Sequence, residues 1–133
     1  MRRRIGFTLI EMLLVVTIVG LVSAIALPRM SMIRQRMQLD TAVQQLVGDL
    51  RRAKIEALKR NTKVSLWRSG GTTYTLEYVG ARSLQGGVTF DGPDSVTFAS
   101  FGPTLTGPAL FTLALGGHTR TVGVSAAGLP SVP

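Results

Sequence analysis

Residues 1–28 read MRRRIGFTLIEMLLVVTIVGLVSAIALP, and how that stretch is read decides the fold. Phe7 to Leu27 is a run of 21 residues with a single charged member, Glu11. As a helix it would be about 31 Å long, close to the roughly 30 Å of a bilayer's hydrocarbon core. Arg2, Arg3 and Arg4 stand in front of it. Basic residues hold that end in the cytoplasm, so the remainder of the chain is expected on the other side. A plain signal anchor fits this pattern. Ala24-Ile25-Ala26 also offers the small-x-small site of a cleavable secretory signal, but Glu11 and the length of the run weigh against it. A carboxylate at the centre of a membrane helix costs a few kcal/mol and marks function, whereas one near the interface can snorkel to water.

Beyond Pro28, which lacks a backbone donor and should interrupt or kink a helix, helical spacing resumes at once. Met30, Ile33, Met37, Leu39, Val43, Leu46, Val47, Leu50, Ala53 and Ala57 recur at steps of three and four, with Arg, Gln and Asp between them. The pattern predicts one helix from about Phe7 to Arg60, on the order of 80 Å long and kinked near Pro28. Its second half is amphipathic and needs cover for its apolar stripe. Asn61 and Thr62 fit the helix end, with Lys59 and Arg60 favourably placed in the last turn.

From Lys63 the pattern changes to short alternating runs broken by glycine and proline. Residues 63–68 and 72–79 flank Ser69-Gly70-Gly71, residues 87–91 and 95–101 flank Gly92-Pro93, and residues 109–115 and 119–124 flank Gly116-Gly117-His118. The expected fold class is therefore α+β. A long N-terminal helix packs on a small antiparallel sheet or sandwich of about six strands, with residues 125–133 as a loose tail or short edge strand. The expected division is a basic leader over 1–6, a membrane and assembly helix over 7–28, an amphipathic helix over 29–62 and an exported β domain over 63–133.

The 133 residues carry 15 basic and 7 acidic side chains, for a net charge of +8. Nine of the basic residues lie between Arg29 and Lys63, against three acids, while the chain from Val64 onward is balanced. A basic helix face is ordinarily just solvated, but it also suits phosphates or anionic headgroups. No cysteine is present, which removes disulfides, a thiol nucleophile and thiolate metal sites. His118, the only histidine, is expected as an exposed turn residue. Asp91 and Asp94 read as turn chemistry around Gly92-Pro93 rather than calcium ligands. Trp67 is expected to pack in the core or hairpin. Nothing here assembles a nucleophile, an acid–base pair or a metal site, so no enzyme, cofactor or metal is expected.

The order Gly6-Phe7-Thr8-Leu9-Ile10-Glu11, behind a basic leader and ahead of an apolar run closed by Ala26-Leu27-Pro28, resembles the class III signal of type IV pilins and pseudopilins. The resemblance implies that a prepilin peptidase cuts between Gly6 and Phe7, that Phe7 becomes N-methylated, and that Glu11 serves assembly. The stretch from Leu46 to Asn61, with its L-x-x-A-x-x-E-A-x-x-x-N pattern, is similar to the GspH/FimT group of minor pseudopilins. Phe101-Gly102-Pro103 followed by Gly107 resembles that group's F-x-P-x-G region, whereas Val124-Ser125-Ala126-Ala127-Gly128-Leu129-Pro130 departs from its usual glycine-arginine-rich end.

By that resemblance the chain is a minor pilin of a type IV pilus, or a pseudopilin of a type II secretion system, acting in initiation or at the tip. Its implied partners are other pilin or pseudopilin subunits, the peptidase and inner-membrane lipid. It would cross the inner membrane once, with its C-terminal domain outside the cytoplasm, before joining the filament. The alternative is a FimT-like DNA receptor for natural transformation. The DNA-contacting arginines of that branch lie mainly near the C-terminus, where only Arg120 fits here, with His118 nearby.

Overall fold

The computed structural model describes residues 7–132, and for Ala26, Leu27 and Pro28 the backbone alone. One helix, α1 (Leu9–Arg60), is followed by β1 (Val64–Arg68), β2 (Thr73–Leu76), β3 (Gly80–Ser83), a short 3-10 turn (Gln85–Gly87), β4 (Thr89–Asp91), β5 (Ser95–Phe98), β6 (Ala109–Leu115), β7 (His118–Val124) and β8 (Pro130–Ser131). The chain divides into two compact units, one ending at Arg34 and the other beginning at Gln35.

In the first unit the backbone stays helical through Pro28. The apolar part of α1 is long enough to cross a membrane, with mean hydropathy 2.5 over its best window, and none of that window is buried by the chain. Met30 and Ile33, expected to belong to a covered stripe, are also exposed.

In the second unit the stripe is covered from Leu39 onward. Leu39, Ala42, Val43, Leu46, Val47, Leu50, Ala53 and Ala57 are all buried, and their steps of one, three and four place them on one helix face. Two four-stranded antiparallel sheets receive that face, one in the order β3-β2-β1-β5 and the other β4-β6-β7-β8. Strand alternation sends Val64, Leu66, Tyr74, Leu76, Val96 and Phe98 inward from the first sheet, and Phe90, Phe111, Leu113, Val122 and Val124 inward from the second. Tyr74 meets Phe90 edge-on at 5.8 Å, and Phe90 meets Phe111 at 5.7 Å, which joins the sheets through aromatic contact.

Eight strands form where six were expected. The run 72–79 is interrupted by Tyr78, whose positive φ of 66° ends β2 and turns the chain into β3. All four residues of β3 are exposed, so it buries neither face and carries no alternation by which a sequence could announce it. β8 is the short edge strand allowed for at the C-terminal end.

The helix stops where its sequence indicates. Asn61 adopts a left-handed φ of 50°, its N–H bonds the carbonyl of Leu58 at 3.4 Å, and Thr62 N–H reaches the carbonyl of Ala57 at 3.2 Å. This is the paired closure of a Schellman motif, in which asparagine tolerates the conformation glycine usually takes. Arg60 bonds Glu56 at 3.0 Å and lies 4.4 Å from the Tyr78 ring centroid, which ties the helix end to the β2–β3 turn.

A polar bridge also ties the helix to the first sheet. The Tyr74 hydroxyl donates to Asp49 Oδ2 at 2.6 Å, Gln45 Nε2 donates to that hydroxyl at 3.3 Å and to the Ser83 carbonyl at 3.0 Å, and Arg82 lies 4.0 Å from Asp49. Burial, then the Asp49 carboxylate, push the Tyr74 phenol well above its ordinary range. Tyr74→Phe should lower stability by about 1–3 kcal/mol, because Asp49 loses a donor in a partly buried site. The linkage sign is definite. A raised folded pKa means that the contribution is complete below the unfolded tyrosine's pKa of about 10 and is lost as pH rises beyond it. Denaturation of the full chain in detergent at rising alkaline pH should show a loss of stability that the Phe variant lacks; equal slopes would remove Tyr74 as its source.

Candidate functional site

Three places on the chain gather functional groups. The first is the start of α1. Phe7 and Thr8 precede the helix, and Phe7 is exposed. Thr8 acts as the N-cap: its hydroxyl accepts from Glu11 N–H at 3.3 Å, while its carbonyl accepts from Glu11 and Met12 N–H at 3.1 and 3.2 Å. Glu11 is thus the third residue of the helix, completing the Thr-x-x-Glu spacing of a capping box. A carboxylate in the first turn also faces the positive end of the helix dipole. Glu11 makes no side-chain hydrogen bond or ion pair among the described residues. Gly6 lies outside the described residues.

The second place is a cleft of about 230 Å³ lined by Arg36, Leu39, Asp40, His118, Thr119 and Arg120. His118 and Arg120 fall on the same side of β7 as the buried Val122 and Val124, so they continue the inward face of the strand at its open end. Arg120 Nε bonds Asp40 Oδ1 at 3.1 Å, with both side chains more than half exposed, and such a pair contributes at most about 1 kcal/mol. His118 is not the exposed turn residue expected. It opens β7 opposite Leu115 and is half-buried, because the tight turn is made by Gly116 and Gly117 alone. Arg36 and Asp40 were missed as members of this site. They come from the helix some eighty residues earlier; only the 120-122-124 alternation, which puts Arg120 on the face of Val122 and Val124, could have pointed toward the site.

The third place is the β4–β5 turn. Arg68 donates to Asp91 at 2.7 Å and to Asp94 at 3.0 Å. A guanidinium already occupies both carboxylates that the sequence had offered as turn acids, and Asp91 Oδ1 also accepts from Gly92 N–H at 2.9 Å. Trp67, expected in the core or hairpin, faces outward from β1 between Thr75 and Ser95 and is 39% exposed. Its neighbours Val64 and Leu66 take the inward positions, so Trp67 falls on the opposite face.

Residues 1–27 match the prokaryotic N-terminal methylation motif. A stretch of 66 residues is 44% identical to the pilin-like protein PilA1 of Thermus thermophilus; the match spans 50% of this chain and only 40% of that protein. The fold is similar to the type IV minor pilin FimU of Pseudomonas aeruginosa, with a TM-score of 0.67, 17% identity, and coverage of 74% of this chain and 90% of that one. It is also similar to the minor pseudopilin EpsH from the type 2 secretion system of Vibrio cholerae, with a TM-score of 0.59, 12% identity, and coverage of 72% and 96%.

Proposed function

We propose that this chain, type IV pilin-like in both its N-terminal methylation motif and its fold, is a minor pilin or pseudopilin: a subunit built for assembly rather than catalysis. The observation that carries the reading is a methylation motif heading a 52-residue helix whose apolar window is left wholly bare by the rest of the chain. Such a surface is stable in lipid or against other apolar helices, and a filament of pilin-like subunits supplies the second after the membrane has supplied the first.

Processing follows from chemistry at the two ends of one bond. Prepilin peptidase hydrolyses the amide between Gly6 and Phe7, which removes Arg2, Arg3 and Arg4 and leaves a free amine on Phe7, the atom then methylated. The arginines that held the helix in place are gone, and a positive amine now stands four residues ahead of Glu11. A neighbouring subunit's amine and the Glu11 carboxylate neutralise each other where an unpaired charge is costly, and this fixes the axial step between subunits. Until assembly, the C-terminal β domain lies beyond the inner membrane. As a minor subunit, the chain would act in initiation or at the tip of a type IV pilus or a secretion pseudopilus.

A second reading, capture of DNA, is favoured by one observation: the cleft brings Arg36 to His118 and Arg120. Against it, Asp40 already neutralises Arg120.

Replacing Gly6 by leucine should leave the chain at full length, whereas the native chain loses six residues; normal processing of the variant, read by intact mass, would remove the prepilin reading. Glu11→Ala should still enter the membrane but fall roughly tenfold in sheared filaments, which a pairing contribution of only about 1.4 kcal/mol would produce. Undiminished incorporation counts against the pairing. For DNA, the full chain in detergent should bind duplex with affinity that drops steeply with salt, and Arg36→Ala should reduce the salt slope by about one. No binding at low salt ends that reading.

A further inference from the structure

The last turns of α1 and two loops of the β domain form an apolar groove of about 320 Å³ that nothing in the chain fills. Its walls are Ile55 and Leu58 from the helix and Leu129 and Pro130 from the C-terminal loop, and Arg51 and Lys54 stand at its rim. Ile55, Leu58 and Leu129 are each about half exposed or more, and Phe101, one residue from the glycine that packs on Leu58, is 75% exposed. Large apolar side chains gathered in this way mark a surface made to be covered.

The loops that carry them are held firmly. Gly102 N–H bonds the Ala99 carbonyl at 2.9 Å and Ala99 N–H bonds the Pro103 carbonyl at 2.8 Å, closing a tight turn around Phe101. Thr104 N–H reaches the Ala126 carbonyl at 3.0 Å, and Lys54 Nζ reaches the Ala127 carbonyl at 2.9 Å. Gly128, at a φ of 71°, lies so near the Gly102 carbonyl oxygen that a Cβ would collide with it. An aromatic side chain on a braced loop binds without a large ordering cost, which is how interface anchors work. The Phe-Gly-Pro motif, otherwise without a role in the fold, is thereby explained: its glycine and proline build the turn and its phenylalanine is displayed.

The charge distribution says what kind of partner fits. Arg51 has no ion-pair partner among the described residues. Every acid of the β-domain unit is already engaged within the chain: Asp40 with Arg120, Asp49 with Tyr74 and Arg82, Glu56 with Arg60, Glu77 with the Ser65 N–H, and Asp91 and Asp94 with Arg68. A second copy would bring a unit in which basic residues outnumber acids ten to six, with its acids already facing its own cations or donors, so its charge repels rather than complements Arg51. We infer that the groove receives a segment of a different subunit, one that inserts apolar side chains beside Phe101 and Leu58 and sets at least one aspartate or glutamate against Arg51. This rests on the reading of the chain as an assembly subunit, and it makes that assembly heteromeric at this face.

The test places the photo-crosslinking amino acid p-benzoylphenylalanine at position 101 of the full chain in its native membranes. The expected product is an adduct with a different pilin-like polypeptide, mapped by mass spectrometry to an apolar segment containing an acid. Arg51→Glu should reduce the adduct roughly tenfold, as for a charge facing its complement, and reversing the mapped acid to lysine should restore it. Because Arg51 and Phe101 are exposed, an unchanged melting temperature separates lost docking from lost folding. An adduct with a second copy, no adduct, or an adduct indifferent to Arg51→Glu each overturns the inference. If the chain enters filaments but crosslinks to itself, the groove assignment fails and the subunit reading stands. A charge-dependent adduct with an acidic protein that is not pilin-like overturns the inference, whereas absence of the chain from filaments overturns the subunit reading.

Discussion

The β domain depends on one burial event: the stripe from Leu39 to Ala57 on α1 closing against both sheets. Neither sheet could stand without it, since a four-stranded sheet with one apolar face must cover that face to be stable in water. The helix supplies eight buried side chains to a core that draws at least one residue from every strand except β3 and β8. Truncating a central member such as Leu46, fully buried, would be expected to cost about 2–5 kcal/mol, a large fraction of what a domain of this size has to spare. Tyr74 adds direction to a contact that hydrophobic burial leaves non-directional, because its hydroxyl must find Asp49 on the facing helix.

The same helix is used twice, under opposite solvation rules. From Leu39 to Ala57 its apolar stripe is covered within the chain, with Ile55 and Leu58 lying off that stripe; the apolar run from Phe7 through Ile25 is bare. A helix apolar all round is unstable in water unless lipid or another helix covers it, so the N-terminal half is a statement about environment and the C-terminal half a statement about fold. Thr8 and Glu11 begin the apolar half with a cap and an acid, so the residue that looks costly in a membrane also stabilises the first turn of the helix.

Charge follows a comparable division. The β-domain acids are spent internally, on Arg68, Arg82, Arg120, Arg60, Tyr74 and a backbone N–H, while basic residues such as Arg51 keep theirs. A domain arranged this way presents positive charge outward with few compensating acids. That disfavours self-association and favours acidic partners, by the same Coulombic argument that governs solubility and encounter.

Read alone, the sequence determined the features that depend on local chemistry and period. The apolar run from Phe7 announced the first half of the helix, steps of three and four announced the stripe, and Asn61 marked its end through backbone conformation. The hairpins were legible wherever alternation met glycine. β3 was not, because a strand exposed on both faces has no period, and of the two places expected for Trp67 its register chose the hairpin over the core. Only the tertiary structure could bring Arg36 and Asp40 to Arg120, or Leu129 to Ile55 and Leu58. Those meetings join segments tens of residues apart, and their positions follow from how two sheets close over a helix rather than from any pattern within a segment.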